Sequence, residues 1–360
     1  MLNELPDSLI EKAVIELKRS KFPILICGGG QTARKIKVYM DEIGIRIDGF
    51  LINRKFWENE FHVTEGCPVF ILEEYLDRNK CDLLVGFSGF HKEQAEMYLS
   101  NIHKLYALDF IGMLCLEGQC NMISQRFYRE NKEGLQWLEN CLCDEKSKKS
   151  LDSFITQKMS GIYTKNIYEL DQYFPSDIIH LEENEIFVDC GAYQGESTVD
   201  FIMHLQRYKV TKCYRAFCVE ADKYNVIKMK EVLKFYKNIE IVPVGVWDKE
   251  CVLHMDTGLG VGSKISDTGM TSVNMQTIDN ILQGEKATYI KMDIEGSELK
   301  GLYGASNTIR KYKPKLAICI YHKAEDLIKI PSYIYRLRQD YKFYIRNHSE
   351  YGIETVLYAI

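Results

Sequence analysis

The chain of 360 residues is 46% hydrophobic and 27% charged, the composition of a soluble globular protein long enough for two domains. Its net charge of −5 provides no basic surface for nucleic acid, so we expect no nucleic-acid partner. No apolar run approaches the ~18 residues of a membrane-spanning helix, and we expect no transmembrane segment.

Cysteine usage indicates a reducing compartment. The sequence contains 12 cysteines, none of them in a C-x-x-C pair, and several fall within apolar runs typical of buried strands. The N-terminus alternates charged and apolar residues and lacks the apolar core of a signal peptide. We therefore predict a cytoplasmic protein with reduced thiols and neither disulfides nor a zinc site.

The first strand–turn–helix pattern lies at residues 23–40, PILICGGGQTARKIKVYM. Its glycines and alanine fit the G-x-G-x-x-A pattern of dinucleotide-binding turns. The candidate nucleotide site consists of Gly28, Gly30 and Gln31. The acid expected about 20 residues further on is replaced by Asn53, after a second strand predicted at residues 45–52. We expect a Rossmann-like domain without NAD, which either binds another nucleotide or nucleotide sugar or serves only for docking.

Strands and helices alternate throughout this half and predict a small parallel α/β domain. An amphipathic helix is predicted at residues 5–19, another helix at residues 91–102 and a strand at residues 104–110. The segment DEKSKKS has few apolar residues and is predicted to be a solvated linker. The predicted division is a Rossmann-like domain at residues 1–122, a helical connector at residues 123–150 and a second α/β domain at residues 151–360.

The second domain is organised around residues 186–201, IFVDCGAYQGESTVDF. An apolar strand ends at Asp189, and Gly191 and Gly195 bracket a tight turn before a helix. The acidic and hydroxyl residues that follow are predicted to cap that helix: Glu196, Ser197 and Thr198. An acid beside the turn repels phosphate and favours an ammonium group, which points to S-adenosylmethionine rather than a dinucleotide. A plain strand-to-helix turn without a ligand is the structural alternative.

The next two strands end in further candidate cofactor residues. Glu220 ends a predicted strand 25 positions after Gly195, near the spacing at which a carboxylate accepts ribose hydroxyls, although a surface glutamate is the alternative. A third strand is predicted at residues 239–248 and ends in Trp247 and Asp248. Trp247 either covers an adenine ring or packs in the core.

Candidate acceptor residues follow later strands. Residues 251–282 are rich in Gly, Ser and Thr and predict a hairpin with a mobile excursion over the acceptor. Asp293 and Glu295 lie at the tip of a buried strand, where they converge on an acceptor hydroxyl or hold a divalent cation, unless Asp293 only caps a helix. His322 emerges after the next strand at the same sheet edge.

Together these motifs resemble the FkbM family of S-adenosylmethionine-dependent methyltransferases over residues 147–360. The resemblance rests on YFPSDIIHLEENEIFVDCGAYQGES, AFCVEAD, IVPVGVWD, TIDNIL, YIKMDIEGSELKGLYGA and KLAICIYHKAEDL, in the family's order and spacing. It implies a class I methyltransferase sheet of seven strands with the last antiparallel. The first half more loosely resembles the Rossmann-like domain preceding some sugar-modifying enzymes, through ILICGGGQTARKI and GFLINRKF.

The resemblance also implies roles for individual residues. The methionine end of the cofactor would meet the glycine turn, which comprises Asp189, Gly191, Ala192, Tyr193 and Gly195. Glu220 would bind the ribose, Trp247 and Asp248 would lie at the adenine edge, and Asp293 and Glu295 would lie on the acceptor side. The family commonly methylates hydroxyls of sugars, polyketides and other metabolites.

The sequence therefore predicts a methyltransferase acting on a hydroxyl of a sugar, glycan or related metabolite. A hydroxyl is a poor nucleophile, so a base or metal should help remove its proton. The candidate bases are Asp293 first, His322 second and Glu295 third, and no dense acidic cluster demands a metal. Two other functions stay open: a scaffold that binds the cofactor without turnover, and an NAD-dependent sugar oxidoreductase acting through the first domain.

Overall fold

The computed structural model describes residues 9–57, 63–86, 101–106, 115–116, 119–120, 123, 125–160, 168–208, 214–256, 264–265, 269, 271–349 and 354–360. Contacts divide the chain into two compact units. The first consists mainly of Glu4–Gln125, and the second mainly of Arg126–Gln157 and Tyr163–Ile360. In the part of the chain so described, none of the helices combines the length and the apolar character that crossing a membrane requires.

The described helices fall in both units. They are α1 (Leu9–Arg19), α2 (Gln31–Glu42), α3 (Leu72–Leu76), α4 (Gln125–Glu130), α5 (Lys132–Cys141), α6 (Glu145–Ser160), α7 (Glu196–Arg207), α8 (Lys223–Leu233), α9 (Ile278–Leu282), α10 (Glu298–Gly304), α11 (Ser306–Tyr312) and α12 (Asp326–Leu337).

The described strands are numbered in the same way. They are β1 (Ile24–Cys27), β2 (Gly49–Ile52), β3 (Val63–Thr64), β4 (Cys67–Ile71), β5 (Cys81–Val85), β6 (Ile102–Tyr106), β7 (Cys115–Leu116), β8 (Gln119–Cys120), β9 (Glu185–Cys190), β10 (Tyr214–Val219), β11 (Ile239–Val242), β12 (Gly245–Val246), β13 (Cys251–Asp256), β14 (Lys264–Ile265), β15 (Thr271–Gln276), β16 (Tyr289–Met292), β17 (Lys315–Cys319), β18 (Phe343–Asn347) and β19 (Thr355–Ala359).

The first unit contains a six-stranded sheet in the order β3-β4-β2-β1-β5-β6, parallel except at β3. Strands β1, β2 and β5 are buried along their whole length, as expected for apolar runs in a parallel sheet. The predicted Rossmann-like architecture is confirmed. The strand predicted at residues 45–52 begins only at Gly49, and the helix predicted at residues 91–102 lies almost wholly outside the described residues.

The second unit contains a seven-stranded sheet in the order β11-β10-β9-β16-β17-β19-β18. All its pairs are parallel except those of β19, which is antiparallel to both neighbours. This is the predicted class I methyltransferase sheet, and its strand order reverses between β9 and the central strand β16. Ligands of open α/β sheets bind at this reversal, outside the carboxyl ends of the strands.

The third strand of this sheet is shorter than predicted. The run at residues 239–248 divides after β11, and its remainder, β12, pairs with β15 in a separate four-stranded sheet. Pro243 follows β11 directly and has no N–H with which to continue a ladder. The predicted hairpin is confirmed by the antiparallel pairing of β13 with β15, while residues 257–263 of its excursion lie outside the described residues.

The predicted solvated linker at DEKSKKS is wrong, because the segment begins α6 and is partly buried. Asp144 accepts a hydrogen bond from the Ser147 backbone N–H at 2.7 Å, and the buried Ser147 hydroxyl lies 2.7 Å from the guanidinium of Arg346. Burial alone would raise the pKa of Asp144, but hydrogen bonds from Arg346 and Ser147 lower it to about 2. Short polar side chains are therefore needed here to satisfy a buried arginine.

Candidate active site

The turn after β9 is closed by a close backbone contact with the end of β16. Gly191 has φ +75°, and a Cβ atom there would lie 1.8 Å from the carbonyl oxygen of Asp293. Only glycine fits both this conformation and this space. Gly195, at φ +98°, is the N-cap of α7, and the predicted side-chain cap is absent at that residue. The turn is therefore rigidly held against the neighbouring strand.

Asp189 lies beneath this turn and is fully buried. Its Oδ2 atom accepts hydrogen bonds from the hydroxyls of Ser197 at 2.7 Å and Thr198 at 2.8 Å, so these residues bind the acid instead of capping the helix as predicted. Its Oδ1 atom lies 3.0 Å from Nζ of the buried Lys291, which also donates to the carbonyl of Gly191 at 2.8 Å. The negative charge of Asp189 is thus neutralised inside the protein.

Sequence reasoning missed Lys291, although a lysine within the apolar run of β16 marks it. Burial alone would lower the pKa of Lys291, but the charges of Asp189 and Asp293 raise it. Lys291 therefore stays charged and joins β9, the glycine turn and β16.

Glu220 follows β10 and fastens the middle of the turn. One carboxylate oxygen accepts from the Tyr193 backbone N–H at 2.9 Å and the other from the Asp222 backbone N–H at 2.8 Å. Tyr193 has a positive φ of 49°, and Ala192 beside it is buried. Burial raises the pKa of Glu220, while the hydrogen bonds it accepts act in the opposite direction.

Trp247 and Asp248 follow β12 and are both half-buried. Lys300 donates to Oδ2 of Asp248 at 2.6 Å, and its ammonium lies 5.5 Å from the centre of the Trp247 ring. The indole also packs against the apolar cluster that includes Met255 and Val273. Among the described residues, the buried Oδ1 atom of Asp248 has no hydrogen-bond partner.

Asp293, Glu295 and His322 meet at the carboxyl ends of β16 and β17. The Nε2 atom of His322 lies 3.6 Å from Oδ1 of Asp293 and 3.7 Å from Oε2 of Glu295. Asp293 also accepts from the hydroxyls of Tyr173 at 2.8 Å and Tyr321 at 3.2 Å. The fold therefore brings the predicted acceptor-side residues together. The alternative that Asp293 is the N-cap of the next helix is wrong, because Ser297 is the N-cap of α10.

A fourth ionisable residue, Glu298, stands behind the histidine. Its Oε1 atom lies 3.1 Å from Nδ1 of His322, although the ring is not aligned for a hydrogen bond, and it accepts from the Ile294 backbone N–H at 2.9 Å. Sequence reasoning missed Glu298 and Tyr173. Glu298 is marked only by being an acid in the first turn of α10, and nothing local marks Tyr173.

Burial and mutual charge shift the pKa values in this cluster. Burial alone would raise the pKa of Asp293, but the positive charges of His322 and Lys291 lower it. Burial raises the pKa of Glu295 to about 7, while the nearby His322 acts in the opposite direction. Burial alone would lower the pKa of His322, but Glu298, Asp293 and Glu295 raise it to about 10.

The candidate nucleotide site of the first unit also joins a strand to a helix, but its N-cap glycine, Gly30, is extended, whereas Gly195 is left-handed. Gly28 has φ +112°, Gly30 is the N-cap of α2 without a side-chain cap, and the backbone of Gln31 begins that helix. Asn53 accepts from the Lys55 backbone N–H at 3.0 Å and thereby caps a short 3₁₀ turn. Asp48 accepts from the Ile24 backbone N–H at 3.0 Å and so has a structural role at the start of β1.

Comparisons with known proteins agree with this fold. A family model described as the methyltransferase FkbM domain matches residues 189–343. The chain is similar to the crystal structure of methyltransferase FkbM from Methylobacillus flagellatus KT, with 21% identity, a TM-score of 0.71, and coverage of 99% of this chain and 94% of that chain.

Two further structures are similar over about half of the chain. One is an rRNA methylase from Streptococcus thermophilus, with 13% identity, a TM-score of 0.33, and coverage of 50% of this chain and 87% of that chain. The other is fibrillarin from Aeropyrum pernix with bound S-adenosyl-L-methionine, with 9% identity, a TM-score of 0.32, and coverage of 51% of this chain and 70% of that chain. No curated protein matches the chain.

Proposed function

The chain carries a methyltransferase domain of the FkbM type, and from this premise we propose that it transfers a methyl group from S-adenosylmethionine to a hydroxyl of a sugar, glycan or related metabolite. The observation that carries the proposal is the edge formed by β9, β10 and β16, where the glycine turn, Glu220 and the Asp293 cluster follow neighbouring strands. Ligands of such sheets bind at this edge.

The residues at this edge fit the cofactor. Oε2 of Glu220 accepts from Tyr193, whereas Oε1 accepts from Asp222 and, at the long distance of 3.5 Å, from Asn225. One ribose hydroxyl would therefore donate to the second lone pair of Oε2, and the other would replace the long contact of Asn225 at Oε1. The unpartnered Oδ1 atom of Asp248 would accept from the adenine amino group, with Trp247 beside the ring. These groups would hold the nucleoside half of S-adenosylmethionine, which supplies the electrophilic methyl when bound.

Asp189 has an indirect role in this proposal. Its charge is matched by Lys291 and both oxygens are engaged, so it orders the turn rather than meeting the ammonium of the ligand. The turn then presents its backbone to the methionine end of the cofactor, with Gly191 held against Asp293.

The reaction is a displacement at the methyl carbon. The acceptor oxygen forms a bond to this carbon while the carbon–sulfur bond breaks, and its electron pair stays on sulfur, which leaves S-adenosylhomocysteine. Catalysis depends mainly on holding the oxygen about 3 Å from the methyl group. The proton of the acceptor hydroxyl would pass to a carboxylate. The two candidates are Asp293 and Glu295, which we place on the acceptor side.

Of these two carboxylates, Glu295 is the better proton acceptor by its contacts. Both lie near the imidazole of His322, at 3.6 Å and 3.7 Å, but Asp293 also accepts from two tyrosine hydroxyls, which stabilise its charged form. Burial raises the pKa of Glu295 to about 7, which suits a group that takes up a proton near neutral pH. A divalent cation is the second means of activating the hydroxyl, and both carboxylates offer it oxygen ligands.

The proposed setting is the cytoplasm, with a small-molecule or glycan acceptor and no nucleic acid. Free, buried thiols such as Cys190 and Cys218 suit a reducing compartment. The net charge of −5 gives no electrostatic attraction for a polyanion.

Calorimetry with S-adenosylhomocysteine, and then with NAD, tests the cofactor assignment. We expect micromolar binding of S-adenosylhomocysteine, its loss in Glu220→Ala, and its retention in Glu240→Gln, a control on β11 whose carboxylate pairs with Arg215. Binding of NAD alone, or of neither ligand, would overturn the proposal.

A labelled-methyl transfer assay tests the acceptor side. We expect Glu295→Gln to abolish transfer to hydroxyl acceptors, because it removes the proposed proton acceptor. Asp293→Asn should abolish transfer as well, because it changes the second carboxylate of the same cluster, and both variants should keep S-adenosylhomocysteine binding intact. Retained turnover in either variant would remove that residue from the acceptor site.

A further inference from the structure

We propose that Asp293, Glu295 and His322 bind one divalent first-row transition-metal ion, with Mn²⁺ as the representative. The ion would lie on the acceptor side of the site, so the inference deepens the proposed function. Any role of the ion in catalysis rests on that function. Binding of the ion itself can be measured without any methyl transfer.

The distances within the group are close to those of a metal site. One ligand atom from each residue lies within 4.8 Å of the other two, and the imidazole Nε2 is 3.6 Å and 3.7 Å from the two carboxylate oxygens. A metal bonded at ~2.1 Å to nitrogen and oxygen holds neighbouring ligand atoms about 3 Å apart. Side-chain movements of less than about an ångström would therefore complete the site.

His322 gives an independent indication of a missing ligand. Its side chain is 4% exposed and Nδ1 faces Glu298 at 3.1 Å, but within the described residues Nε2 has no hydrogen-bond partner. Buried polar groups are almost always satisfied, so an unsatisfied one in a native protein requires an explanation. The Nε2 atom lies 3.6 Å and 3.7 Å from two carboxylate oxygens, too far for a hydrogen bond to either, and a cation shared by all three groups satisfies them together. Such a cation would displace the imidazole proton that the carboxylates otherwise stabilise.

The surrounding residues hold the three ligands in the manner of known metal sites. A metal-binding histidine commonly directs its other ring nitrogen at a carboxylate, which fixes the tautomer. Here Nδ1 lies 3.1 Å from the fully buried Glu298, which is itself held by the Ile294 backbone N–H. Asp293 is oriented in turn by the hydroxyls of Tyr173 and Tyr321.

The charges around the group favour a cation of mixed nitrogen and oxygen preference. Asp293, Glu295 and Glu298 contribute three carboxylates around one imidazole, while the nearby Lys291 is engaged by Asp189. A ligand set of imidazole and carboxylates suits Mn²⁺, Fe²⁺, Co²⁺ or Zn²⁺ better than it suits Mg²⁺ or Ca²⁺, which prefer oxygen ligands alone. Three protein ligands leave positions open for water and for the acceptor oxygen.

Titration of the chelator-treated full-length protein with Mn²⁺, followed by the electron paramagnetic resonance of the free ion, tests the site. We expect one Mn²⁺ per chain, and at least tenfold weaker binding in His322→Ala and in Glu295→Gln. Glu298→Gln should weaken binding about 10- to 100-fold, as loss of such an outer carboxylate usually does.

The matched control is His103→Gln in the first unit. His103 also lies beside a buried carboxylate, with Nδ1 2.7 Å from Asp82, and this variant should bind Mn²⁺ as the wild type does. Thermal unfolding identifies variants that fail to fold, and Glu295 is exposed enough for its amide to be accommodated.

Two outcomes would overturn the inference: no Mn²⁺ bound by the wild type, or binding undiminished in the folded His322 and Glu295 variants. Calorimetry with S-adenosylhomocysteine separates this failure from that of the proposed function. Cofactor binding without Mn²⁺ binding removes the metal site alone, whereas Mn²⁺ binding without cofactor binding removes the methyltransferase proposal and leaves the metal site standing.

Discussion

The two units each contain a buried parallel strand, a glycine turn and a helix, but among the described residues a buried ion pair lies under the turn of the second unit alone. In the first unit, the turn after β1 has Asn53 at the end of the neighbouring strand, where it caps a short turn. In the second, the turn after β9 covers a buried Asp189–Lys291 pair and is fastened by Glu220. The same order of strand, glycine turn and helix thus occurs with different backbone conformations and different neighbouring side chains.

This difference shows what a glycine pattern determines and what it leaves open. Glycines permit the sharp turn and the close approach of backbones. The chemistry at the turn comes from the ends of neighbouring strands, which in the second unit contribute Glu220 and Asp293. A glycine motif should therefore be interpreted together with the residues that follow the strands on either side.

The largest expected effect comes from Lys291→Met. It leaves Asp189 as an uncompensated buried charge, and breaking a buried ion pair in this way typically costs about 3–5 kcal/mol in the free energy of unfolding. Urea denaturation measures this loss. A cost below about 1 kcal/mol would contradict the neutralising role of Lys291.

The matched control for this prediction is Lys37→Met on α2. Lys37 pairs with Asp41, whose side chain is 52% exposed, so this pair is worth at most about 1 kcal/mol. Adding Asp189→Asn to Lys291→Met should recover part of the lost stability, because the unpaired charge is then absent.

The second prediction compares one glycine from each turn. Gly191→Ala places a Cβ against the backbone of Asp293 at a positive φ, so we expect a loss of about 1–3 kcal/mol in unfolding free energy and weaker S-adenosylhomocysteine binding. Gly30→Ala should change neither quantity appreciably, since Gly30 has φ −79° and nothing within 4 Å of its Cβ position. Equal effects of the two changes would remove the contrast between the turns. Denaturation and calorimetry measure both.

The third prediction concerns the residues that follow the second strand of each unit. Glu220→Gln should weaken S-adenosylhomocysteine binding about tenfold, because an amide is a poorer acceptor for two ribose hydroxyls than a carboxylate, and ~1.4 kcal/mol is a factor of ten. Asn53→Ala should cost about 1 kcal/mol of stability through its lost cap and leave binding unchanged. Calorimetry on both variants measures binding, and weaker S-adenosylhomocysteine binding in Asn53→Ala would contradict the prediction.

Local patterns are sufficient to predict much of the second sheet and to nominate a candidate site at its edge. The apolar run before Asp189, the glycines after it and the acids at strand ends are all properties of short segments, and the strands and the turn follow from them. The meeting of Asp293 and His322 was predicted because both follow parallel strands of one sheet, whose carboxyl ends share an edge.

Contacts between distant segments could not be predicted in this way. Tyr173 reaches Asp293 across 120 positions, and the partners Ser147 and Arg346 are 199 positions apart. The prediction of a linker at residues 144–150 fails because the buried partner of this polar segment lies in β18, far along the chain. Nothing in a single segment indicates which of its polar residues will satisfy a buried charge.

The smallest expected effect is on the pH dependence of cofactor binding. Burial raises the pKa of Glu220 above its ordinary value of 4.5, so the protonated form is favoured in the folded protein at a higher pH than in the unfolded chain. Since ribose hydroxyls bind the ionised carboxylate, S-adenosylhomocysteine affinity should fall as the pH decreases through this raised pKa.

The Glu220→Gln variant is the reference for this measurement, because its weaker binding should lack this part of the pH dependence. The same shift affects stability with a definite sign. A carboxylate with a raised folded-state pKa stabilises the fold at low pH and loses that contribution as the pH rises through the folded pKa. The variant should therefore gain stability relative to the wild type as the pH rises. A relative loss over that range would mean that the hydrogen bonds from Tyr193 and Asp222 lower the pKa of Glu220 more than burial raises it.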